Sequence, residues 1–190
     1  MRDHGLQSLA EVVAHYYAEQ KPKTENELRW FRIQRKLHHA VRLAGLAEGP
    51  NKKRFVHQYR IPRKILQRSA RSLLSKLRPI SRCKSFDELL LLVEHTIGRI
   101  RGIGILTVYD TALRIGARLD LTPDLVYLHA GTRHGAAAIG FDPRRRSIAR
   151  HELPPEIAEL SAEAAEDILC LYARDLARIL NGRRLTKKWS

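Results

Sequence analysis

The chain has 190 residues and a formal net charge of +15, because 35 Lys and Arg side chains outnumber 20 Asp and Glu side chains. Such an excess repels itself unless a polyanion lies beside it, so the composition favours nucleic acid as the partner. No apolar run has the length of a bilayer span and the first residues contain no signal-peptide core, so we expect a cytoplasmic protein without a membrane partner. The length predicts one helical domain over residues 1–190, and we expect a monomer.

The first half of the chain contains predicted helices whose ends are marked by capping residues. Two pairs of residues have the spacing of a capping box: Thr24 with Glu27, and Ser85 with Glu88. Gly45 is expected to end the first of these helices. Between them, Pro62 suits the first position of another helix, in which apolar residues recur at helical spacing.

The second half of the chain is also predicted to be helical. A strong helix is expected over residues 106–119, and residues 122–124 have the composition of another helix start. The clearest amphipathic stretch covers residues 161–180, with Gly182 as its stop. No segment shows the alternation of a strand, so the sequence predicts an all-α fold of about seven or eight helices.

Positive charge is concentrated in a basic helical segment, residues 49–86. Glu48 and Asp87 are the nearest acidic residues on either side, and twelve basic residues lie between them: Lys52, Lys53, Arg54, Arg60, Arg63, Lys64, Arg68, Arg71, Lys76, Arg78, Arg82 and Lys84. Phosphate contacts dominate affinity for nucleic acid, so this segment is typical of a polyanion-binding surface. A solvated helix face is the alternative. Residues 144–146 and a basic C-terminal tail, residues 181–190, add to the charge.

A glycine-containing sequence, IGRIRGIGILTVYDTA at residues 97–112, lies between two predicted helices. Glycine lets the backbone turn sharply, so Gly102 and Gly104 predict a tight hairpin, with Ile103 anchoring it in the core. The first N–H groups of the following helix lack partners within the helix and carry the positive end of its dipole. An oxygen of a DNA phosphate can bind there.

These residues resemble the helix-hairpin-helix family of DNA-binding modules, whose pattern is approximately Leu-Pro-Gly-h-Gly-x-x-Thr-Ala with h apolar. The chain has IRGIGILTV over residues 100–108, with arginine in place of proline and valine in place of alanine. The resemblance implies binding to the backbone of duplex DNA through Gly102, Ile103, Gly104 and Thr107. It also implies a monovalent cation at the carbonyls of Ile100 and Ile103, and no other cofactor. A dinucleotide-binding loop is disfavoured, since it needs a preceding strand and a third glycine.

Within this family the chain is most similar to the DNA glycosylases, which break the bond between base and sugar. Bifunctional members have a lysine nucleophile at the position of Leu106, so the resemblance implies no lyase activity. The family's catalytic aspartate lies at the start of the next helix, and Asp124 has the corresponding spacing. Asp110 is the competing candidate, because it shares a helix face with Leu106. Helix capping is the alternative role for Asp124, and a solvated surface position is the alternative for Asp110.

Residues 127–135 alternate polar, small and aromatic side chains, a composition that suits a pocket wall. His129 is a candidate to orient water or protonate a leaving base, and Arg133 and His134 are candidate DNA contacts. Two histidines five residues apart also suggest a metal site, but no third ligand lies near them in the sequence. Cys83 and Cys170 are too few and too far apart for a disulfide framework or a thiolate site.

Residues 57–60 precede Pro62 in a predicted extended stretch, from which side chains can reach outward. This stretch consists of His57, Gln58, Tyr59 and Arg60. An aromatic ring among polar and basic groups can stack on a base, which makes these residues candidate DNA contacts. Core packing of Tyr59 is the alternative.

Three functions from different classes agree with the sequence. The first is a monofunctional DNA glycosylase that flips out a damaged or modified base and excises it to leave an abasic site, with a carboxylate stabilising the sugar cation. The second is a DNA-binding module without chemistry. The third is an RNA-binding protein, which the charge suits equally well and the hairpin suits less. A nuclease is disfavoured, because no obvious motif supplies a metal-binding carboxylate cluster.

Overall fold

The computed structural model describes the backbone of residues 3–186 and the side chains as far as residue 180. Its elements in chain order are α1 (Leu9–Glu19), α2 (Lys21–Arg32), α3 (Leu37–Leu46), α4 (Arg63–Leu74), α5 (Leu77–Ile80), α6 (Phe86–Ile97), α7 (Ile105–Leu119), β1 (Leu125–Tyr127), α8 (Ala130–Ala138), β2 (Ser147–Ala149), α9 (Pro155–Ala158), α10 (Ala162–Leu171) and α11 (Ala173–Thr186). Short 3₁₀ turns occur at Pro50–Lys52, Val56–Gln58 and Arg150–Glu152. The described chain is therefore mostly helical, as predicted. Within it, no helix has the length and apolarity needed to cross a bilayer.

The chain divides into two compact units, and the single helical domain over residues 1–190 stays a prediction. The central unit is Thr24–Pro123, and the terminal unit combines Met1–Lys23 with Asp124–Ser190. The basic segment and the glycine hairpin both belong to the central unit. The predicted basic C-terminal tail, residues 181–190, lies outside the part of the chain whose side chains the structure describes.

The central unit is a helical bundle in which α3 packs against α4 and α7, and α6 packs against α7 and α4. Fully buried apolar side chains from these helices form its core: Phe31, Val41, Leu66, Leu73, Leu89, Val93, Ile97 and Ile115. The predicted cap of α6 is confirmed, because Ser85 Oγ accepts a hydrogen bond of 3.2 Å from the Glu88 N–H. The predicted start of α4 is shifted by one residue, because Pro62 is the N-cap and Arg63 is the first helical residue.

The helix predicted over residues 24–45 is two helices, α2 and α3. The predicted cap at Thr24 is wrong, because α2 begins at Lys21 and runs through that residue. The Glu27 carboxylate that would complete the capping box pairs instead with Arg114 on α7, with 2.7 Å between Oε1 and Nε. A contact between residues distant in the sequence thus replaces the local cap.

Gly45 lies inside α3 and allows that helix to approach α4 closely. A Cβ added to Gly45 would lie 2.6 Å from the Cα of Ala70 on α4, well inside contact distance. The predicted role of Gly45 as a helix stop is therefore wrong. The residue that ends α3 is Ala47, which has a left-handed backbone conformation with φ of 51°.

The terminal unit contains the two strands that the sequence does not predict. β1 and β2 pair antiparallel, with Val126 opposite Ile148. α8 packs against α10 and α11, while α1 packs against α9, α10 and α11. The core of this unit contains Leu9, Val12, Tyr16, Val126, Leu128, Ile148, Ile157, Ile168, Leu169, Tyr172 and Leu176.

Two helix predictions in the terminal unit are wrong. Residues 122–124 lead into β1, whose short apolar run, LVY, is compatible with a buried strand as well as with a helix. The amphipathic stretch over residues 161–180 is two helices, because α10 ends at Leu171 and its C-cap, Tyr172, has a non-helical ψ of 19°. Gly182 is not a stop, since α11 continues to Thr186.

Gly45→Ala should destabilise the central unit, because the added methyl group forces α3 and α4 apart. Overpacking of a close helix contact costs about 1–3 kcal/mol, and urea unfolding measures the difference. Gly104→Ala is the matched control, since a Cβ at Gly104 meets no atom within 4 Å. Equal stability of the two variants would contradict the close approach at Gly45.

Candidate nucleic-acid interface

The glycine hairpin connects α6 to α7 through residues 98–104. Gly102 has a φ of +97°, a conformation that glycine adopts without steric cost. The N–H of Ile103 donates a hydrogen bond of 2.9 Å to the Ile100 carbonyl, which closes the turn. Ile103 is 8% exposed, so its predicted role as a core anchor is confirmed. The cation predicted at the Ile100 and Ile103 carbonyls stays a prediction.

The two hairpin glycines differ in what surrounds them. A Cβ at Gly102 would lie 2.8 Å from Cδ1 of Ile65 on α4, so this glycine lies against the start of that helix. Gly104 is exposed, occupies the N-cap of α7, and has open space around its Cβ position. No side chain caps α7 there. The helix N-terminus is consequently accessible to an anion from solvent.

Thr107 does not lie on the exposed part of this hairpin. Its residue surface is only 8% exposed, so a direct phosphate contact by its hydroxyl is not supported by the structure. The exposed apolar residue at the start of α7 is Ile105, with 55% of its surface accessible. The sequence pattern did not single out Ile105.

All twelve basic residues of the segment 49–86 are exposed. Within residues 3–180, none of them forms an ion pair with a carboxylate, and the sequence supplies no acidic residue inside the segment. On α4 the exposed Arg63, Lys64, Arg68 and Arg71 alternate with a buried apolar face that contacts the bundle. The segment is therefore a folded element with an outward-facing surface of unpaired positive charge.

The second predicted basic patch, residues 144–146, is partly neutralised by local carboxylates. Arg144 pairs with Asp142 at 3.1 Å. Arg145 pairs with Glu152 at 2.8 Å through two parallel hydrogen bonds. These arginines are less available to phosphate than those of the basic segment, because each already has a carboxylate partner.

The loop that precedes α4 presents two exposed apolar side chains. Val56 is 87% exposed and Tyr59 is 68% exposed, so core packing of Tyr59 is excluded. The guanidinium of Arg54 lies 5.5 Å from the centre of the Tyr59 ring. Gln58, in contrast, is fully buried, and its Nε2 donates a hydrogen bond of 2.6 Å to Asp110 Oδ2. This bond fixes the loop beside α7.

Asp110 belongs to a polar network with Gln58, Arg114, Glu27 and His57. Arg114 donates to Gln58 Oε1 at 3.2 Å and to Glu27 at 2.7 Å, and it lies 3.9 Å from Asp110. Its guanidinium also covers the ring of Phe55, with 4.0 Å between the carbon of the guanidinium and the ring centre. The network joins α2, α7 and the loop that carries Tyr59.

The Asp110 carboxylate is held in its ionised form while part of it stays accessible. Burial alone raises the pKa of Asp110, but the His57 imidazole, the Arg114 charge and the Gln58 amide outweigh it, so the pKa lies below its usual value. The Asp110 side chain is 14% exposed, and the half-exposed His57 lies 3.7 Å from it. The interpretation of Asp110 as a freely solvated residue is therefore wrong.

His129 is buried in the terminal unit, where it caps α8. Its Nδ1 accepts a hydrogen bond of 3.2 Å from the Gly131 N–H, and its backbone N–H donates to Thr132 Oγ1 at 2.7 Å. Its Nε2 contacts the buried carboxylate of Glu166. Both ring nitrogens are thus engaged in holding the helix start, and the catalytic role predicted for His129 stays untested.

The fold brings two further potential metal ligands to His129 that lie far away in the sequence. Ligand atoms of His129, Glu166 and Cys170 lie within 4.8 Å of one another, whereas His134, the second histidine of the suggested pair, is not in this cluster. Because Nδ1 accepts a backbone N–H, the ring proton lies on Nε2 and is donated to Glu166. Zinc needs that lone pair, so the hydrogen bonds favour a structural pair over a metal site.

The remaining predicted residues of the terminal unit do not join this cluster. Asp124 is exposed and precedes β1, so it is not the helix-start carboxylate that the spacing predicts. His134 is exposed, and its Nδ1 contacts the Ala130 carbonyl of its own helix at 2.9 Å. Arg133 is half-buried, with its Nε lacking a partner in the described chain.

Asp110→Asn should destabilise the protein at neutral pH by an amount that shrinks as the solution becomes acidic. Because the folded-state pKa of Asp110 is lowered, its ionised form stabilises the fold above the pKa of an unfolded aspartate. That contribution is lost as the pH falls through the folded-state pKa. Urea unfolding between about pH 7 and about pH 2.5 measures the trend.

Asp120→Asn is the control for this acid-unfolding experiment, since Asp120 is exposed at the left-handed end of α7 and asparagine tolerates that conformation. Its effect should be small at every pH. A difference between wild type and Asp110→Asn that stays constant down to the lowest pH would show that the charge of Asp110 does not stabilise the fold.

Comparison with known proteins gives no match: no family model, no curated protein and no solved structure is similar to the chain. The role of the protein is therefore inferred from its own geometry. The features available for that inference are the open hairpin, the unpaired positive charge and the network around Asp110.

Proposed function

We propose that the central unit binds duplex DNA through its sugar-phosphate backbone, without reading the base sequence. One observation supports this proposal above others: an uncapped, open helix N-terminus and a surface of unpaired cations occur in the same compact unit. Both features bind anions, and the regularly spaced phosphates of one polyanion can occupy the helix N-terminus and the cationic surface at the same time. The proposal agrees with the helix-hairpin-helix resemblance of residues 97–119.

The hairpin and the basic surface meet at the start of α4. Ile65 contacts Gly102 of the hairpin, so Arg63 and Lys64, just before Ile65, lie at the same end of the unit. When one phosphate of a DNA strand lies at the N-terminus of α7, the side chains of Arg63 and Lys64 then lie close to the adjacent phosphates of the same strand. Main-chain N–H groups fix the register, and the cations supply most of the affinity.

The loop beside α7 adds apolar side chains to this surface. Tyr59 and Val56 are too exposed to contribute to the core, and the Gln58 to Asp110 bond holds them near the first turns of α7. Exposed aromatic and apolar residues next to cations stack on bases or enter the minor groove. We assign Tyr59 and Val56 to contacts with the bases, and His57 and Arg60 to the flanking backbone.

Gly104→Asp should abolish duplex binding while leaving the fold intact. Aspartate is a favoured N-cap residue, so α7 should be as stable as in the wild type or more stable, yet its carboxylate occupies and repels the phosphate position. Fluorescence anisotropy with a labelled duplex measures affinity, and thermal melting measures stability. The matched control is Asn26→Asp, which adds the same charge at an exposed position of α2 outside the hairpin.

Duplex affinity of Gly104→Asp equal to that of Asn26→Asp would show that the hairpin only connects two helices. Tighter binding of an RNA duplex than of a DNA duplex by the wild-type protein would favour the RNA-binding alternative. Equal and strong binding of many unrelated DNA sequences is the expected result, because phosphate contacts carry no sequence information and stacking on Tyr59 tolerates any base.

A second candidate function, excision of a damaged or modified base, is favoured by one observation. Asp110 is an ionised, partly accessible carboxylate on the helix that the hairpin leads into, with His57 beside it. A fixed carboxylate can stabilise the positive charge that develops on a sugar as its base departs. Leu106 offers no amine for a Schiff base, so a glycosylase using Asp110 would have no lyase activity.

Asp110→Asn should eliminate base release and leave the duplex affinity of the folded protein almost unchanged, because the charge interacts with the sugar only in the transition state. The assay detects abasic sites in duplexes that carry a panel of modified bases. Asp120→Asn is the control and should retain full activity. Full activity of Asp110→Asn would contradict the carboxylate mechanism, and wild-type protein that binds DNA but releases no base would leave binding as the function.

A further inference from the structure

The central unit contains a groove that is distinct from the hairpin. It has a volume of about 630 Å³ and lies between α2, α3, the start of α4 and the turn before residue 53. This size is typical of a site for a small molecule. Its polar lining comes mainly from Trp30, Arg42, Glu48, Lys52 and Arg63.

The turn on one side of the groove has an unfavourable backbone conformation. Asn51 and Lys52 have φ angles of 58° and 57°, values that asparagine tolerates but that lysine rarely adopts. The turn is held by a hydrogen bond of 2.9 Å from the Gly49 N–H to the Lys53 carbonyl. Such strain persists where the surrounding structure over-determines it, which is common at binding sites.

The polar side chains of the groove lack partners within the protein. Trp30 Nε1 is buried and makes no hydrogen bond in the described chain. Among residues 3–180, whose side chains the structure describes, the side chains of Arg42, Glu48, Lys52 and Arg63 likewise form neither a hydrogen bond nor an ion pair. The groove therefore presents four charged side chains whose hydrogen-bonding capacity the described chain does not use, which suits a charged, polar ligand.

The kinds of side chain in the groove specify the ligand. Three cations can hold a phosphate, and the indole of Trp30 with Leu43 and Leu46 supplies an apolar surface for a planar ring. Glu48 is the only carboxylate in the lining, and it can accept two adjacent N–H donors. Guanine offers such a pair on its Watson–Crick edge, whereas thymine offers a single N–H.

We infer that this groove binds a guanine nucleotide, with the phosphate at Arg42, Lys52 and Arg63 and the base edge at Glu48. The nucleotide can be free or can be one that has left the helix of bound DNA. In the second case the inference rests on the proposed DNA binding, because the groove shares Arg63 with the basic surface. The chemistry of recognition is the same in both cases.

Fluorescence of Trp30 tests the inference directly. Trp189→Phe removes the only other tryptophan of the chain, so the signal then comes from Trp30 alone. Titration of this protein with dGMP should give saturable quenching, and dTMP or inorganic phosphate should bind at least about tenfold more weakly, since neither offers the paired N–H donors. A parallel titration with a single-stranded oligonucleotide that contains one guanine tests whether the groove binds a nucleotide within a DNA strand as well as a free nucleotide.

Variants made in the same background assign the contacts. Glu48→Gln and Arg42→Ala should each weaken dGMP binding by about tenfold. Arg32→Ala, at an exposed position of α2 that lines neither the groove nor the basic segment, should leave the affinity unchanged and serves as the control. Circular dichroism establishes that each variant is folded.

Equal affinity for dGMP and dTMP, or no effect of Glu48→Gln in a folded variant, would overturn the assignment of the base edge. Absence of quenching by both dGMP and the oligonucleotide would overturn the site. Quenching by the oligonucleotide but not by dGMP would support the groove as a binding site and identify its ligand as a nucleotide within a DNA strand. Duplex affinity measured in parallel separates the two proposals: intact duplex binding without nucleotide binding contradicts only this inference, and nucleotide binding without duplex binding contradicts only the proposed function.

Discussion

The proposed interface depends on the interactions that the buried side chain of Arg114 makes. This side chain connects Glu27 on α2, Gln58 in the loop before α4 and Asp110 on α7, and it covers the ring of Phe55. A buried guanidinium is costly unless it is paired, so its two hydrogen-bond acceptors, Glu27 and Gln58, and the Asp110 carboxylate 3.9 Å away are held in one arrangement. That arrangement keeps the exposed end of the loop close to α7 and keeps the Asp110 carboxylate ionised.

Features encoded by neighbouring residues could be predicted from the sequence. The cap of α6 needs only Ser85 and the N–H three residues later, and the hairpin needs only glycine where φ is positive. The exposure of the basic segment follows from the absence of acidic residues and from the helical spacing of its apolar positions. These signals are local, so no knowledge of the rest of the fold was required.

Features that depend on contacts between distant residues could not be predicted in this way. The sequence around Gly45 is typical of a helix stop, and only the structure shows that Gly45 lies against Ala70. Glu27 has the spacing of a capping box, but in the structure it pairs with Arg114, which is distant in the sequence. The spacing that suggested Asp124 as a catalytic residue assumes that a helix begins there, but in the structure the residues after Asp124 form strand β1. The groove at Trp30 has no sequence signal, because its lining comes from three helices and a strained turn.

Unpaired positive charge on the central unit is the physical basis of the proposed function, and the salt dependence of duplex affinity tests it most directly. The logarithm of the binding constant should fall linearly with the logarithm of salt concentration, and Arg63→Ala with Lys64→Ala should reduce the slope by about two units. Arg144→Ala, whose guanidinium already pairs with Asp142, should leave the slope unchanged. Affinity that does not vary with salt, or an equal change of slope in both variants, would contradict phosphate binding by this surface.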